Sequence, residues 1–148
     1  MASSPALVTA LTDTLASLYA LYFRAHSAHW NVEGSQFVSL HAFFGDIYED
    51  TFASIDAIAE DIRQLQSLAP SDLSTLLAQN GPMTTVTATT DAKTLLTEVD
   101  RRNTLVLSKL HAAYAVAEPV DEGIANFLQD RLRAHHKWAW QLQALLKG

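Results

Sequence analysis

The sequence predicts an all-α protein, a bundle of four long helices with one long crossover that contains a short helix. Apolar residues recur at helical spacing over four long segments, and no segment alternates apolar and polar residues as a half-buried strand does. The 148 residues contain no cysteine. They are enough for a single domain, spanning residues 1–148, that buries a core without disulfides or thiolate metal sites.

The first two long helices are predicted over residues 5–31 and 36–66. Ser4-Pro5 is a typical helix start, with the serine as cap and the proline in the first turn. Gly34 interrupts the apolar pattern, so a tight turn should join the two helices in an antiparallel pair. The apolar stripes consist of Leu7, Leu11, Leu15, Leu18, Tyr22 and Ala25 in the first helix, and of Phe37, Leu40, Phe44, Tyr48, Ile55, Ile58, Ile62 and Leu65 in the second.

The connection that follows is about 25 residues long, enough to travel the full length of a bundle. A short helix is predicted over residues 71–79, before Asn80-Gly81-Pro82, and the Thr-rich run over 84–90 is expected to be extended.

Two more long helices are predicted over residues 90–116 and 119–146. Asp91 is positioned to cap the first, and Pro119 with Asp121 opens the second. Their short connection predicts a second antiparallel pair. One long crossover between two hairpins is the ferritin-like arrangement, whereas bundles with two long crossovers or with none fit less well.

The balance of acidic and basic residues limits the kinds of binding partner that the sequence favours. The net charge is −6, with 16 acidic and 10 basic residues, which argues against binding a phosphate backbone and favours attraction of cations. Residues 1–11 contain no basic residue and no long apolar run, so no secretory signal is expected there. No uninterrupted apolar stretch approaches the roughly 18–20 residues of a membrane span. We therefore expect a cytoplasmic protein that does not enter a membrane.

Four residues are candidates for metal ligands: His29, His41, Asp56 and Glu60. The sequence has no Glu-x-x-His pair, the motif that builds a di-iron site inside one bundle, so a site within one subunit is not expected. Asp56 and Glu60 are four residues apart and share one helix face. Two adjacent carboxylates on an apolar stripe are costly to bury unless a cation compensates them.

The spacing of these candidates predicts a site between subunits. His41 and Asp56 are separated by about 22 Å along one helix, whereas metal ligands lie about 2 Å from the ion. A two-fold axis between antiparallel copies would place the histidines of one copy beside the acids of the other. The alternative is that the histidines are helix caps or surface residues and that the acids form a solvated helix face.

A sequence motif supports the metal interpretation. The segment His29-Trp30-Asn31-Val32-Glu33-Gly34, followed by Phe37 and Leu40-His41, resembles the signature of the Dps miniferritins (DNA-protection-during-starvation proteins), and Phe44, Tyr48, Asp56, Ala59 and Glu60 keep that family's register. The resemblance covers the whole chain in element order and is strongest over residues 26–65.

The resemblance implies a site at a dimer two-fold axis. His29 and His41 would be ligands from one subunit, Asp56 and Glu60 would come from its partner, and Trp30 would line the site near the oxidant. It also implies a homo-oligomeric shell, a dodecamer, that oxidises Fe(II), preferably with hydrogen peroxide, and stores ferric mineral as a protection against oxidative stress. Imidazole and carboxylate ligands suit iron and would accept zinc as a competitor.

The chain departs from the family pattern at two places. Members often have an acid four residues after the second histidine, where this chain has Gly45 with Asp46 beside it, so the second iron position is in doubt. Glu122, Asn126 and Asp130 form an i, i+4, i+8 stripe that could line a three-fold pore, and the asparagine makes such a pore less acidic. An exposed helix face is the alternative.

The remaining features carry weaker interpretations. We expect His26, His111, His135 and His136 to be structural or surface residues, with a secondary metal site as the alternative. DNA binding is expected to be weak or absent, because residues 1–9 contain no Lys or Arg and Arg101, Arg102, Arg131 and Arg133 lie among acids. The rival functions are therefore a nucleoid-compacting protein and a zinc-loaded shell without oxidase activity.

Overall fold

The computed structural model describes residues 4–80 and 86–148. Within these residues it consists of five helices and no strands: α1 (Pro5–Asn31), α2 (Phe37–Gln64), α3 (Leu73–Ala78), α4 (Ala92–Ala117) and α5 (Glu122–Leu146). The prediction of an all-α, ferritin-like bundle with a short helix in its crossover is confirmed.

The turn between α1 and α2 depends on Gly34. Its φ of +119° lies in the left-handed region, where glycine carries no steric penalty. α2 then begins at Phe37, and α1 and α2 pack along their length through a shared apolar core. The predicted antiparallel hairpin is present.

The crossover runs the length of the bundle. α3 is capped by Asp72, whose side chain accepts a hydrogen bond from the Thr75 backbone. Residues 81–85 of the predicted Asn-Gly-Pro turn and Thr-rich segment lie outside the described residues. At the far end of the segment, the Glu33 N–H donates to the Thr90 carbonyl at 3.0 Å. The chain that left α2 at Gln64 thus returns to the α1–α2 turn before α4 begins.

The last two helices are capped by aspartates. Asp91 accepts a hydrogen bond from the Thr94 N–H at 3.0 Å, and Asp121 accepts one from the Ile124 N–H at 2.8 Å. Because Asp121 is the cap, α5 begins at Glu122, and Pro119 lies in the preceding turn rather than opening the helix as predicted. The other predicted boundaries differ by one or two residues, as helix ends commonly do.

A polar network, buried at Arg131, His135 and Asn103 and partly exposed at Asp50, joins three helices. Arg131 on α5 makes a two-pronged ion pair with Asp50 on α2, with both N···O distances 2.9 Å. Trp138 Nε1 donates to the same carboxylate at 2.9 Å. Arg131 also donates to His135 Nε2 at 2.8 Å, and His135 Nδ1 donates to Asn103 Oδ1 on α4 at 2.9 Å. From the sequence, Arg131 was only one of four arginines that lie among acids; in the structure this residue is buried, with 8% of its surface exposed.

This network holds His135 as a neutral imidazole. Burial, and after it the neighbouring Arg131 guanidinium, lower the pKa of His135 from 6.5 to about 3. The same guanidinium and the Trp138 N–H hold the pKa of the Asp50 carboxyl below its usual value despite partial burial. A neutral His135 accepts a hydrogen bond at Nε2 from Arg131 and donates one from Nδ1 to Asn103. Both nitrogens of its ring therefore have a partner, as buried polar groups usually do.

The helix α1 is long and apolar enough to cross a membrane by length and composition alone. Half of its most apolar stretch is buried inside the bundle. A helix that packs in the core of a bundle has a similarly long apolar sequence, because its buried face is apolar. The sequence-based expectation of no membrane span thus remains a prediction, and the burial favours it.

Candidate metal centre

His29 and His41 lie face to face at the turn end of the α1–α2 hairpin. Their ring centroids are 3.7 Å apart, with 17° between the ring planes. His29 Nδ1 lies 2.6 Å from the His41 carbonyl oxygen, and His41 Nδ1 lies 2.7 Å from the His29 carbonyl oxygen. Each ring is thus tied to the backbone of the other residue.

This reciprocal arrangement determines the tautomer of both rings. A carbonyl oxygen can only accept, so each Nδ1 carries a proton and donates it. In a neutral imidazole with this tautomer, Nε2 has a free lone pair, the state in which imidazole ligates a metal. Orientation of a ligating histidine by a carbonyl on its other nitrogen is the usual arrangement in metal sites.

An aromatic wall lies beside the histidine pair. The His26 ring is stacked on Tyr48, with centroids 4.0 Å apart, and lies 4.1 Å from the Trp30 indole. Tyr22 Oη is 3.1 Å from His26 Nδ1. Desolvation, and secondarily the nearby His29, lower the pKa of His26. The structure thus makes His26 a member of the site's wall, a position that its isolated occurrence in the sequence did not indicate.

Gly45 provides the space in which His29 sits. A Cβ atom at this position would lie 3.2 Å from His29 Nδ1 and 3.4 Å from His29 Cε1, closer than ordinary van der Waals contact. Gly45 is buried, whereas the adjacent Asp46 is exposed. Among the described residues, no hydrogen bond connects Asp46 to either histidine, so the structure gives no support to it as a substitute for the missing acid.

The two candidate acids lie apart from the histidines. Asp56 and Glu60 are exposed on the later part of α2, and neither has an ion-pair or hydrogen-bond partner in the described chain. No three His, Cys, Asp or Glu side chains of the described residues converge on a possible metal position. One subunit therefore brings His29 and His41 together but does not bring the acids to them.

The surface of the α1–α2 hairpin near these groups is unusually apolar. Phe23, Trp30 and Phe52 are 59%, 57% and 54% exposed. Phe23 lies edge-on to Trp30 at 6.4 Å between centroids, and Phe52 lies 5.0 Å from Tyr22. Contiguous exposed aromatic surface of this kind is typical of an interaction site.

The pore candidates occupy one exposed stripe on α5. Glu122, Asn126 and Asp130 are all exposed, and Glu122 and Asn126 line an open depression beside the α4–α5 turn. The burial of Ile124 and Leu128 on the opposite face explains why these polar residues point outward. Their role in a pore stays a prediction.

Comparison with known proteins gives a consistent result. The ferritin-like domain family matches residues 8–148. DNA protection during starvation protein 2 of Deinococcus radiodurans is 33% identical over 144 residues, which are 95% of this chain and 58% of that protein. The crystal structure of antigen TpF1 from Treponema pallidum has a TM-score of 0.88 at 26% identity, covering 97% of this chain and 92% of the antigen. The Dps protein of Vibrio cholerae O1, a member of a broad superfamily of ferritin-like diiron-carboxylate proteins, has a TM-score of 0.86 at 27% identity, covering 99% and 98% of the two chains.

The fold thus defines a helical-bundle protein of the ferritin-like class. The chain belongs to the ferritin-like family and, within it, to the Dps miniferritins, as the motif around His29 predicted.

Proposed function

We propose that the protein is a ferroxidase and iron-storage subunit whose iron site is shared between two copies of the chain. The observation that carries this proposal is the reciprocal pairing of His29 and His41, which leaves two Nε2 lone pairs free. These two contacts with backbone carbonyl oxygens orient the imidazoles, as contacts to the other ring nitrogen do in histidines that bind a metal.

The missing ligands come from the partner subunit in this proposal. Asp56 and Glu60 are exposed on the same helix that carries His41, and neither has a partner among the residues that the structure describes. The helix rise separates Asp56 from His41 by about 22 Å, which no side chain spans. A two-fold axis that pairs antiparallel α1–α2 hairpins supplies them from the second copy. The exposed Phe23 and Phe52 support this interface, because dimerisation would remove them from water.

The chemistry follows from the donor set. Carboxylates and imidazole together suit Fe(II) and also Zn²⁺, so zinc is expected to compete. Two Fe(II) ions each lose one electron to hydrogen peroxide, its O–O bond breaks, and two protons are taken up to give two water molecules. The carboxylates of Asp56 and Glu60 favour the more highly charged ferric product. Trp30, more than half exposed beside the histidines, lines the path of the oxidant.

Storage requires an enclosed assembly. We infer a homo-oligomeric shell, a dodecamer built from two-fold dimers, with Glu122, Asn126 and Asp130 lining pores for iron entry. Iron storage and protection in general agree with family membership. Preference for peroxide and a role in oxidative stress are parts of this proposal that the family resemblance implies. A cytoplasmic location and weak or absent DNA binding are parts of it that rest on the composition and charge of the sequence.

The first test is anaerobic loading with Fe(II) followed by peroxide, monitored by ferric absorbance. Fast oxidation in the native protein should be lost in the His29→Ala/His41→Ala double variant. Val38→Ala, an exposed change on the same hairpin, is the matched control and should retain the native rate. Equal rates in the native protein and the double variant would remove the histidines from the site.

A mixing experiment tests whether the site is shared. The His29→Ala/His41→Ala variant keeps its acids, and an Asp56→Ala/Glu60→Ala variant keeps its histidines. After co-refolding, hybrid dimers contain one intact site, so an equal mixture should regain about a quarter of the native activity. A mixture as inactive as its two components would contradict ligands drawn from two subunits.

A zinc-loaded shell without oxidase activity is the second candidate, and Gly45 is the observation that favours it, because this position offers no acid for a second metal. If the native protein binds zinc but shows no peroxide-dependent iron oxidation, the result would favour the zinc-loaded shell.

A further inference from the structure

A second histidine pair lies on the other helical hairpin. His111 on α4 and His136 on α5 have ring centroids 5.6 Å apart, with 63° between the ring planes. Both residues are exposed. Neither ring has a hydrogen-bond partner among the described residues, in contrast to the four other histidines, whose rings all contact a polar group within hydrogen-bonding distance. Their nitrogens are therefore available.

The separation of the two rings suits a shared metal ion. With a metal–nitrogen distance of about 2.1 Å and about 1.1 Å from that nitrogen to the ring centroid, each centroid lies about 3.2 Å from the ion. Two centroids 5.6 Å apart then subtend an angle of about 120° at the ion, close to the tetrahedral geometry of zinc. Exposed rings can close the remaining difference by rotating about their side-chain bonds.

The two helices hold this pair in place. α4 and α5 are packed through the core, and the Asn103–His135 hydrogen bonds tie them together one residue before His136. A further link, 3.0 Å from Gln129 Nε2 to Tyr114 Oη, lies three residues beyond His111. A site built on two rigid helices loses little freedom when an ion binds.

We infer that His111 and His136 form a second metal site, for a borderline divalent transition ion such as Zn²⁺ or Cu²⁺, with water as the other ligands. No third His, Cys, Asp or Glu of the described residues joins the pair. Two imidazoles without a carboxylate select the late, nitrogen-preferring ions over Fe(II), since affinity for such ligands rises towards Cu²⁺. This site therefore differs in selectivity from the mixed imidazole–carboxylate site proposed on α1 and α2.

The test uses the full chain in a His29→Ala/His41→Ala background, so that it does not depend on the proposed iron site. Zn²⁺ binding is measured by titration calorimetry at one ionic strength. The background protein is compared with two variants that carry in addition His111→Ala or His136→Ala. Loss of an orienting partner alone costs metal sites roughly 10- to 100-fold in affinity, so loss of a direct ligand should weaken zinc binding at least about tenfold. Lys137→Ala, which removes a neighbouring charge but no imidazole, is the matched control and should leave zinc affinity unchanged.

Electron paramagnetic resonance of one Cu²⁺ equivalent gives an independent readout. The background protein should show splitting from two imidazole nitrogens, and each single variant should show only one. Unfolding curves recorded without metal should coincide, because both side chains are exposed. Absence of zinc binding in the background protein, a zinc affinity in either single variant equal to that of the background protein, or an unchanged nitrogen splitting would each overturn the inference.

Discussion

The neutral His135 predicts how the bundle responds to acid. Its pKa is about 3 in the folded chain against 6.5 when unperturbed. At pH 8 the histidine is neutral in both states and its contribution to stability is fully present. As the pH falls below 6.5, His135 binds a proton in the unfolded chain but not in the folded chain. The free energy of unfolding therefore decreases progressively until about pH 3.

The magnitude follows from linkage. At pH 5 the unfolded histidine is almost fully protonated and the folded one is not, which lowers the free energy of unfolding by about 2 kcal/mol relative to pH 8. The full loss, reached near pH 3, is on the order of 5 kcal/mol. Between pH 8 and pH 5 the titration of Asp50 does not contribute, since its pKa in the folded chain lies below its usual value of 3.8.

His135→Gln isolates the effect. The amide can accept from Arg131 and donate to Asn103, but it does not titrate. Asp61, whose pKa is raised to about 6 by burial and then by Asp121 and Glu60, stabilises the fold as the pH falls; its contribution is present in both proteins and cancels in their comparison.

Urea unfolding at pH 8 and pH 5, at one fixed protein concentration, should show that the native protein loses about 2 kcal/mol more than the His135→Gln variant over this interval. Equal losses in the two proteins would refute the neutral, buried histidine on which the reasoning depends.

Three further predictions concern single positions. Asp50→Asn removes the charge that compensates the buried Arg131 and should lower the free energy of unfolding by about 3 kcal/mol; a loss below 1 kcal/mol in urea titrations, on the order of an exposed ion pair, would contradict the network. Gly45→Ala should slow iron oxidation, because the new Cβ would lie 3.2 Å from His29 Nδ1 and displace that ring. The same contact offsets the gain in helix propensity of up to about 1 kcal/mol, so the melting temperature should change little; ferric absorbance measures the oxidation rate, and an unchanged rate would show that the ring has room to move. Asp91→Ala removes the cap of α4 and should cost about 1 kcal/mol, with the urea midpoint as the measurement and an unchanged midpoint as the contrary result.

The sequence alone was sufficient for the fold. Apolar periodicity, the Gly34 turn and a connection long enough to cross the bundle predicted the helices and their order, because each is a local property or a simple length. The helix cap at Asp91 was visible for the same reason. The start of α5 was placed three residues too early, since proline in a turn and proline in a first helical turn have the same local signature until the capping hydrogen bond is known.

The candidate site also has some features that the sequence predicts and others that only the tertiary structure determines. Spacing along the chain made His29, His41, Asp56 and Glu60 candidate ligands and showed that helix geometry keeps the acids from the histidines. What the tertiary structure decided was how the side chains meet. The carbonyl bonds that determine the tautomers, the space that Gly45 leaves for His29, and the burial of Arg131 with His135 all depend on contacts between residues far apart in sequence. Periodicity describes which face a residue occupies on its own helix, whereas its partners on a neighbouring helix depend on the packing of the whole bundle.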